Sequence, residues 1–167
     1  MAPKGEILQL TCADLNTSEI VFSSYFKPKG KISESAEKVH GISLKMVENE
    51  PVFKEKATEI QRLFDSYPHR IAYNSPFDGN MLGIELNRVG LKLYYDLTNT
   101  DNCAMHRSAE IYQEWNDYRS SYKWKKLAEM GEFLKLEWKG LAHDASADVL
   151  MTIDVIHAIA ELPLRNK

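Results

Sequence analysis

The chain opens on two short runs of alternating character with a polar break between them, and this pattern restricts the architecture more than any later feature. In "EILQLTCA", residues 6–13, Leu8, Leu10 and Cys12 fall on one side and Ile7 is apolar on the other. The run reads as an inner strand with both faces covered. "DLNTSE" supplies a turn, and "IVFSSYF" (20–26) alternates Ile20, Phe22, Ser24 and Phe26 against Val21, Ser23 and Tyr25. The pair predicts a β-hairpin. Pro28 and Gly30 end it, after which "ESAEKVHGISLKMV" predicts a short helix stopped at Gly41 and a further helical turn capped by Ser43.

From there strand-like and helix-like segments alternate. A helix is expected from about Val52 to Phe64, with Phe53, Ala57, Ile60 and Phe64 at helical spacing. "HRIAYN" reads as a strand, and the next helix starts near Pro76, carries Phe77, Met81, Ile84 and Val89, and stops at Gly90. "LKLYYDLTN" is a further candidate strand, "CAMHRSAEIYQEW" and "KWKKLAEMGEFLKL" are candidate helices around the polar "NDYRSS", and the final helix shows Val149, Ile153, Ile156 and Ala160 as its core stripe. A hairpin followed by mixed elements predicts an α/β domain with a mixed sheet. With 167 residues, 44% of them apolar, the chain can bury a core and fits one domain spanning residues 1–167.

Composition narrows the setting. No apolar run approaches a membrane span and no leader pattern is present, so a cytoplasmic protein is expected. Cys12 and Cys103 form neither a CxxC pair nor a disulfide framework. A formal charge of −3 argues against coating nucleic acid by bulk electrostatics, yet leaves room for a basic cleft or for metal cations that meet phosphates.

Two acidic stretches carry the chemistry. In "GLAHDASADVLMT" (140–152), His143 stands five residues ahead of Asp148, which inside one regular helix would leave them about 140° apart. A helix that starts between them, with Asp144 or Ser146 as N-cap, instead puts Asp148 in the first turn and His143 on the preceding loop, where one site can use both. The plainer alternative is a solvated histidine and an aspartate complementing the helix dipole. In "YNSPFDGNML" (73–82), Asp78 lies where a strand end passes into a helix start, a common gathering place for ligands in α/β sheets. Asp78 and Asp148 together offer hard oxygen ligands suited to Mg²⁺ or Mn²⁺. A neutral histidine beside them can take a proton from an attacking water.

These segments carry a resemblance. The run from "EILQLTCA" through "VHGIS", then "AYNSPFDGNML", then "YKWKKLAEMGEFLKLEWKGLAHDASADVLMT", is similar to the DEDDh 3′-5′ exonucleases, the DnaQ-like family that includes the proofreading subunit of bacterial replicative polymerase. The family's Asn-x-x-Phe-Asp matches Asn74, Phe77 and Asp78, and its His-x4-Asp matches His143 and Asp148. The resemblance implies a ribonuclease H-like fold and two-ion phosphodiester hydrolysis, in which the scissile phosphate lies between cations about 3.5–4 Å apart. It implies that Asp78 and Asp148 are catalytic metal ligands, that His143 is the general base, and that Asn74 and Phe77 shape the pocket for the 3′-terminal nucleotide. Lys123, Lys125 and Lys126 are candidates for backbone phosphate contacts, although a solvated face explains them as well. The implied partner is the 3′ end of a single-stranded nucleic acid, with DNA favoured over RNA.

One part of the pattern is absent. The family's Asp-x-Glu, expected on a strand ahead of "EILQL", does not occur there, and the nearest acids, Glu6 and Asp14, do not match it. Two of four carboxylates are missing, so this domain reads as N-terminally incomplete, apparently without its first strand, and impaired as a catalyst. The strand beside the gap should expose its edge, to be covered by a protein partner or a second copy. A non-catalytic nucleic-acid-binding or assembly module of the same fold is the alternative.

Overall fold

The computed structural model describes residues 5–93, 98–140 and 144–162. β1 (Gln9–Ala13) and β2 (Ile20–Tyr25) form the expected antiparallel hairpin, with Gln9 opposite Tyr25 and Cys12 opposite Phe22 and a bulge before Ala13. Asp14 closes the turn by accepting from the N–H groups of Asn16 at 2.9 Å and Thr17 at 3.1 Å. The ladder continues where the Phe26 N–H donates to the Leu8 carbonyl at 2.8 Å. On this register Leu8, Leu10 and Cys12 address β2, and Gln9 and Thr11 turn their backbone groups to the other edge. Among the described residues no strand lies on that edge. Both faces of β1 are partly covered, as an inner strand requires, yet among the described residues it has one strand neighbour.

α1 (Glu34–His40) is capped by Ser33, whose hydroxyl accepts from the Ala36 N–H at 3.2 Å. It ends on Gly41 at φ 71°, where open space surrounds the glycine, so the left-handed backbone and not crowding demands the residue. Ser43 then caps the next turn through the Met46 N–H. α2 (Phe53–Ser66) buries Phe53, Ala57 and Ile60, as the spacing predicts, with Phe64 partly buried. α3 (Ser75–Arg88) packs on α2 and turns Leu82 and Leu86 inward; Phe77, expected on its apolar face, is 62% exposed. These helices and the hairpin enclose one core around Phe22, Phe26, Phe53, Ile60, Leu82 and Leu86, to which Leu10 and Cys12 add from β1. Phe26 is fully buried, its ring 5.2 Å from that of Phe53. Truncating it to alanine should cost about 3–5 kcal/mol.

The second half departs from the expected pattern. "HRIAYN" contributes one parallel bridge, Ala72 to Cys103, instead of a strand. Residues 91–93 and 98–99 are not strand, and the rest of "LKLYYDLTN" lies largely outside the described residues. After a single 3₁₀ turn (Thr100–Asn102), α4 (Ala104–Tyr112) stops at Gln113, which adopts the left-handed region at φ 59°. β3 (Trp115–Asn116) and β4 (Ser121–Tyr122) follow, so "NDYRSS" holds the turn of a second hairpin and does not link two helices. A cross-strand aromatic pair holds this hairpin: the Trp115 and Tyr122 rings meet edge-on at 5.3 Å. α5 is consequently short, Leu127–Phe133.

α6 (Ala145–Glu161) packs on β1, α4 and α5 at once. Its buried positions are Ala147, Met151, Thr152, Ile153 and Val155, whereas Val149 and Ile156 are half-buried and Ala160 is exposed. The expected stripe therefore holds only at Ile153, because a helix covered from three sides has no single apolar face to read. Met130, Met151 and Val155 centre the second core, with Tyr73, Leu127, Trp138 and Ile159 around them. Both cysteines are ordinary packing residues: Cys103 is buried, and burial pushes the Cys12 thiol up to about 12. Among the described residues no helix is long and apolar enough to cross a membrane.

Candidate functional site

Two helix N-termini define the site. At α3, Asn74 is the N-cap residue, but its side chain makes no capping bond; its carbonyl instead accepts from the N–H groups of Phe77 at 2.9 Å and Asp78 at 3.2 Å. Ser75 is buried and donates to the Asn99 carbonyl at 3.1 Å, fixing the entry to the helix. Asp78 thus sits in the first turn with Phe77 projecting beside it, exposed.

At α6, Asp144 is the N-cap. One carboxylate oxygen accepts from the N–H groups of Ser146 at 3.0 Å and Ala147 at 3.2 Å. The other accepts from the Gln9 amide at 3.0 Å and from the Tyr25 hydroxyl at 3.4 Å. Gln9 completes the clasp by accepting the Ala145 N–H at 3.1 Å, and Thr11 meets Ser146 at 3.3 Å. The residues of β1 that face away from the first core therefore hold the start of α6. Asp148 lies one turn on, half-buried, its N–H donating to the Asp144 carbonyl at 2.9 Å.

The electrostatics of these acids diverge. Crowding by surrounding protein pushes Asp78 up to about 6, against backbone N–H bonds from its own residue and Asn74, and the negative charge of Asp148 raises it further. The residue as a whole is exposed. Asp144 moves the other way, held below its ordinary value first by the Gln9 hydrogen bond and then by the two backbone donors. Its charge in turn raises Tyr25, whose own burial is the larger cause.

The structure therefore makes Asp78 and Asp148 electrostatic neighbours across 70 residues of sequence. A divalent cation relieves repulsion between neighbouring carboxylates, and carboxylate oxygens are the donors that Mg²⁺ and Mn²⁺ take. Among the described residues no cluster of three histidine, cysteine or acidic side chains forms around them. His143 lies outside the described residues. Glu6 and Asp14 serve the backbone: Glu6 accepts from the N–H groups of Lys29 and Gly30 at 3.0 and 2.9 Å, and Asp14 holds its own turn. Sequence reasoning did not single out Gln9 or Tyr25. The alternation that places Gln9 and Thr11 opposite Leu10 and Cys12 was the available signal.

Comparison with known proteins identifies the family. The RNase_T exonuclease family matches residues 2–156. The chain belongs to that family. It is 30% identical over 160 residues to the uncharacterized exonuclease CP81 of Escherichia phage 186, covering 94% of this chain and 81% of that protein. It is 29% identical over 167 residues to the 3′-5′ exonuclease DinG of Bacillus subtilis (strain 168), covering 96% of this chain and 17% of DinG. Among solved structures, exonuclease X in complex with 5′ overhanging duplex DNA superposes with a TM-score of 0.65 at 19% identity, over 93% of this chain and 83% of the other. The nuclease domain of 3′hExo, a DEDDh family member bound to rAMP, gives 0.63 at 18% identity, over 97% and 86%. The fold of this exonuclease domain is accordingly the ribonuclease H-like α/β architecture of the DnaQ-like enzymes.

Proposed function

We propose that this domain hydrolyses phosphodiester bonds at the 3′ end of single-stranded nucleic acid, DNA in preference to RNA, in a reaction that depends on Mg²⁺ or Mn²⁺. The observation that carries the reading is the mutual charge repulsion of Asp78 and Asp148 at the first turns of α3 and α6, in a chain of the exonuclease family. These two carboxylates hold the cation, which when bound polarises the phosphate and acidifies water. His143 accepts the proton of the attacking water. The Asn74 side chain, unused as a cap, and the exposed Phe77 ring receive the terminal nucleotide. Exonuclease X is seen with DNA and the 3′hExo domain with rAMP, so both sugars are tested.

Two carboxylates are half of the set that the DEDDh pattern names, so these 167 residues alone turn over slowly. Among the described residues no strand pairs with β1 at Gln9 and Thr11, and that edge is the place for a further strand. The second reading, a binding module without turnover, draws on the same incompleteness: no third ligating side chain joins the pair among the described residues.

A time course on 5′-labelled single-stranded DNA and RNA with Mn²⁺, Mg²⁺ or EDTA separates the two. Laddering from the 3′ end that needs metal and disappears in Asp78→Ala and His143→Ala is the expected result. Binding that survives EDTA with no shortening in any metal sinks the hydrolytic reading.

A further inference from the structure

The second hairpin is built in a way that the carboxylate site does not use. Residues 114–126 hold four aromatic rings, and four cationic side chains against two carboxylates, in a chain whose net charge is −3. Tyr118, at the turn between β3 and β4, is 96% exposed; Trp115 and Trp124 are each about half exposed. Exposed rings at this density cost solubility and contribute nothing to either core. They are also held in place. His106 of α4 stacks behind Trp124 at 4.9 Å, Trp115 is braced by Tyr122, and Asn116 accepts the Arg119 N–H at 3.2 Å to close the turn. Glu114 at the base pairs with Lys123 and Lys125. The Arg119 guanidinium lies 5.9 Å from the Trp124 ring centre, on an aromatic face. Between Arg119, Tyr122 and Trp124 runs a groove of about 220 Å³. That is smaller than the roughly 300 Å³ at which drug-sized ligand pockets begin, and suits one flat ring system.

The hairpin is tied to the proposed active site. The Tyr73 hydroxyl donates to the Lys125 carbonyl at 2.9 Å, and Tyr73 immediately precedes Asn74. Flat exposed rings interleaved with cations are the chemistry that takes a single strand, bases on the rings and phosphates on the cations.

We propose that the β3–β4 hairpin is a docking platform for single-stranded nucleic acid, with Tyr118 stacking a base and Arg119, beside Trp124, meeting phosphate. The platform rests on the nucleic-acid reading above but not on hydrolysis. It gives the strand a second hold beside the α3 carboxylate site, so it contributes to affinity for long strands and not to the chemistry at the terminal phosphate.

The test is fluorescence anisotropy of 5′-fluorescein (dT)20 and (U)20 in EDTA, over a salt series, with wild type, Tyr118→Ala, Tyr118→Phe and Tyr118→Ala/Arg119→Glu. Hydrolysis of thymidine 5′-(4-nitrophenyl phosphate) with Mn²⁺ is measured in parallel. Tyr118 and Arg119 are exposed at a turn, so the variants should keep the wild-type circular dichroism spectrum. Expected are quenching of tryptophan fluorescence by the oligonucleotide, affinity about tenfold or more weaker in the double variant, a salt slope flatter by about 1, and wild-type binding by Tyr118→Phe. Hydrolysis of the mononucleotide ester should be unchanged. Binding that weakens in the double variant while the ester stays uncleaved supports the platform and counts against the exonuclease reading alone. Equal affinity and salt slope in wild type and double variant, or no binding of either oligonucleotide by wild type, overturns the platform, whatever the ester assay shows.

Discussion

Asp78 and Asp144 occupy nearly equivalent places, each within the first turn or cap of a helix that borders the site, yet their surroundings drive them apart. Asp144 is saturated: two backbone N–H groups, the Gln9 amide and the Tyr25 hydroxyl all point at its oxygens, and its charge is stabilised. Asp78 is crowded, sees the like charge of Asp148, and is pushed up to about 6. The difference separates a carboxylate whose charge the fold satisfies from one whose charge it penalises. An acid whose charge the fold satisfies is part of the scaffold; an acid whose charge the fold penalises is a candidate for binding a cation.

The largest expected effect of breaking this contrast is on activity. Asp78→Ala or Asp148→Ala should reduce 3′-end hydrolysis by roughly 100-fold or more, since each removes a charge-bearing ligand, with little change in thermal stability. Asp144→Ala should do the reverse. Losing the cap and its hold on β1 costs about 2 kcal/mol, lowering Tm by about 4–8 °C in thermal melts at pH 7, with cleavage much less affected at temperatures where the fold persists. Because the folded state lowers the Asp144 pKa, that contribution is present above its ordinary value near 3.8 and fades as pH falls through the depressed one, so the penalty of Asp144→Ala should shrink below pH 4. An Asp144→Ala protein as stable as wild type at pH 7 would remove the structural half of the contrast.

The smallest effect sharpens the other half. Between about 3.8 and about 6 folded Asp78 keeps a proton that the unfolded chain releases, so its ionisation costs stability as pH rises through that window. Asp78→Asn in EDTA should therefore be more stable than wild type at pH 8, by about 1 kcal/mol once solvent screening at this exposed residue is allowed for, and equal to it at pH 3.5. Melts at the two pH values read this directly. A variant less stable at pH 8 would mean that Asp78 is anchored much as Asp144 is.

The sequence made part of this legible. Alternation predicted the first hairpin, and helical spacing predicted α2 and its buried Phe53, Ala57 and Ile60, because each element buries one face and the period survives. The second hairpin escaped because two-residue strands are too short to show a period, and Trp115 and Tyr122 look like any aromatic residues until they pair. α6 escaped in its details because three elements cover it. At the site, Asp144 was one of two expected caps, and Asp78 and Asp148 were expected to work together. Their electrical difference was not legible: the groups that satisfy Asp144 lie 135 and 119 residues away in sequence, at Gln9 and Tyr25.

Whether Asp78 and Asp148 form one cation site is read without any turnover by Mn²⁺ binding followed by electron paramagnetic resonance. Wild type and Asp144→Asn should take up Mn²⁺, and Asp78→Asn and Asp148→Asn should each lose that uptake. Undiminished Mn²⁺ binding by Asp78→Asn would rule out the shared site, since the carboxylate that the fold penalises would then not be the one the cation serves.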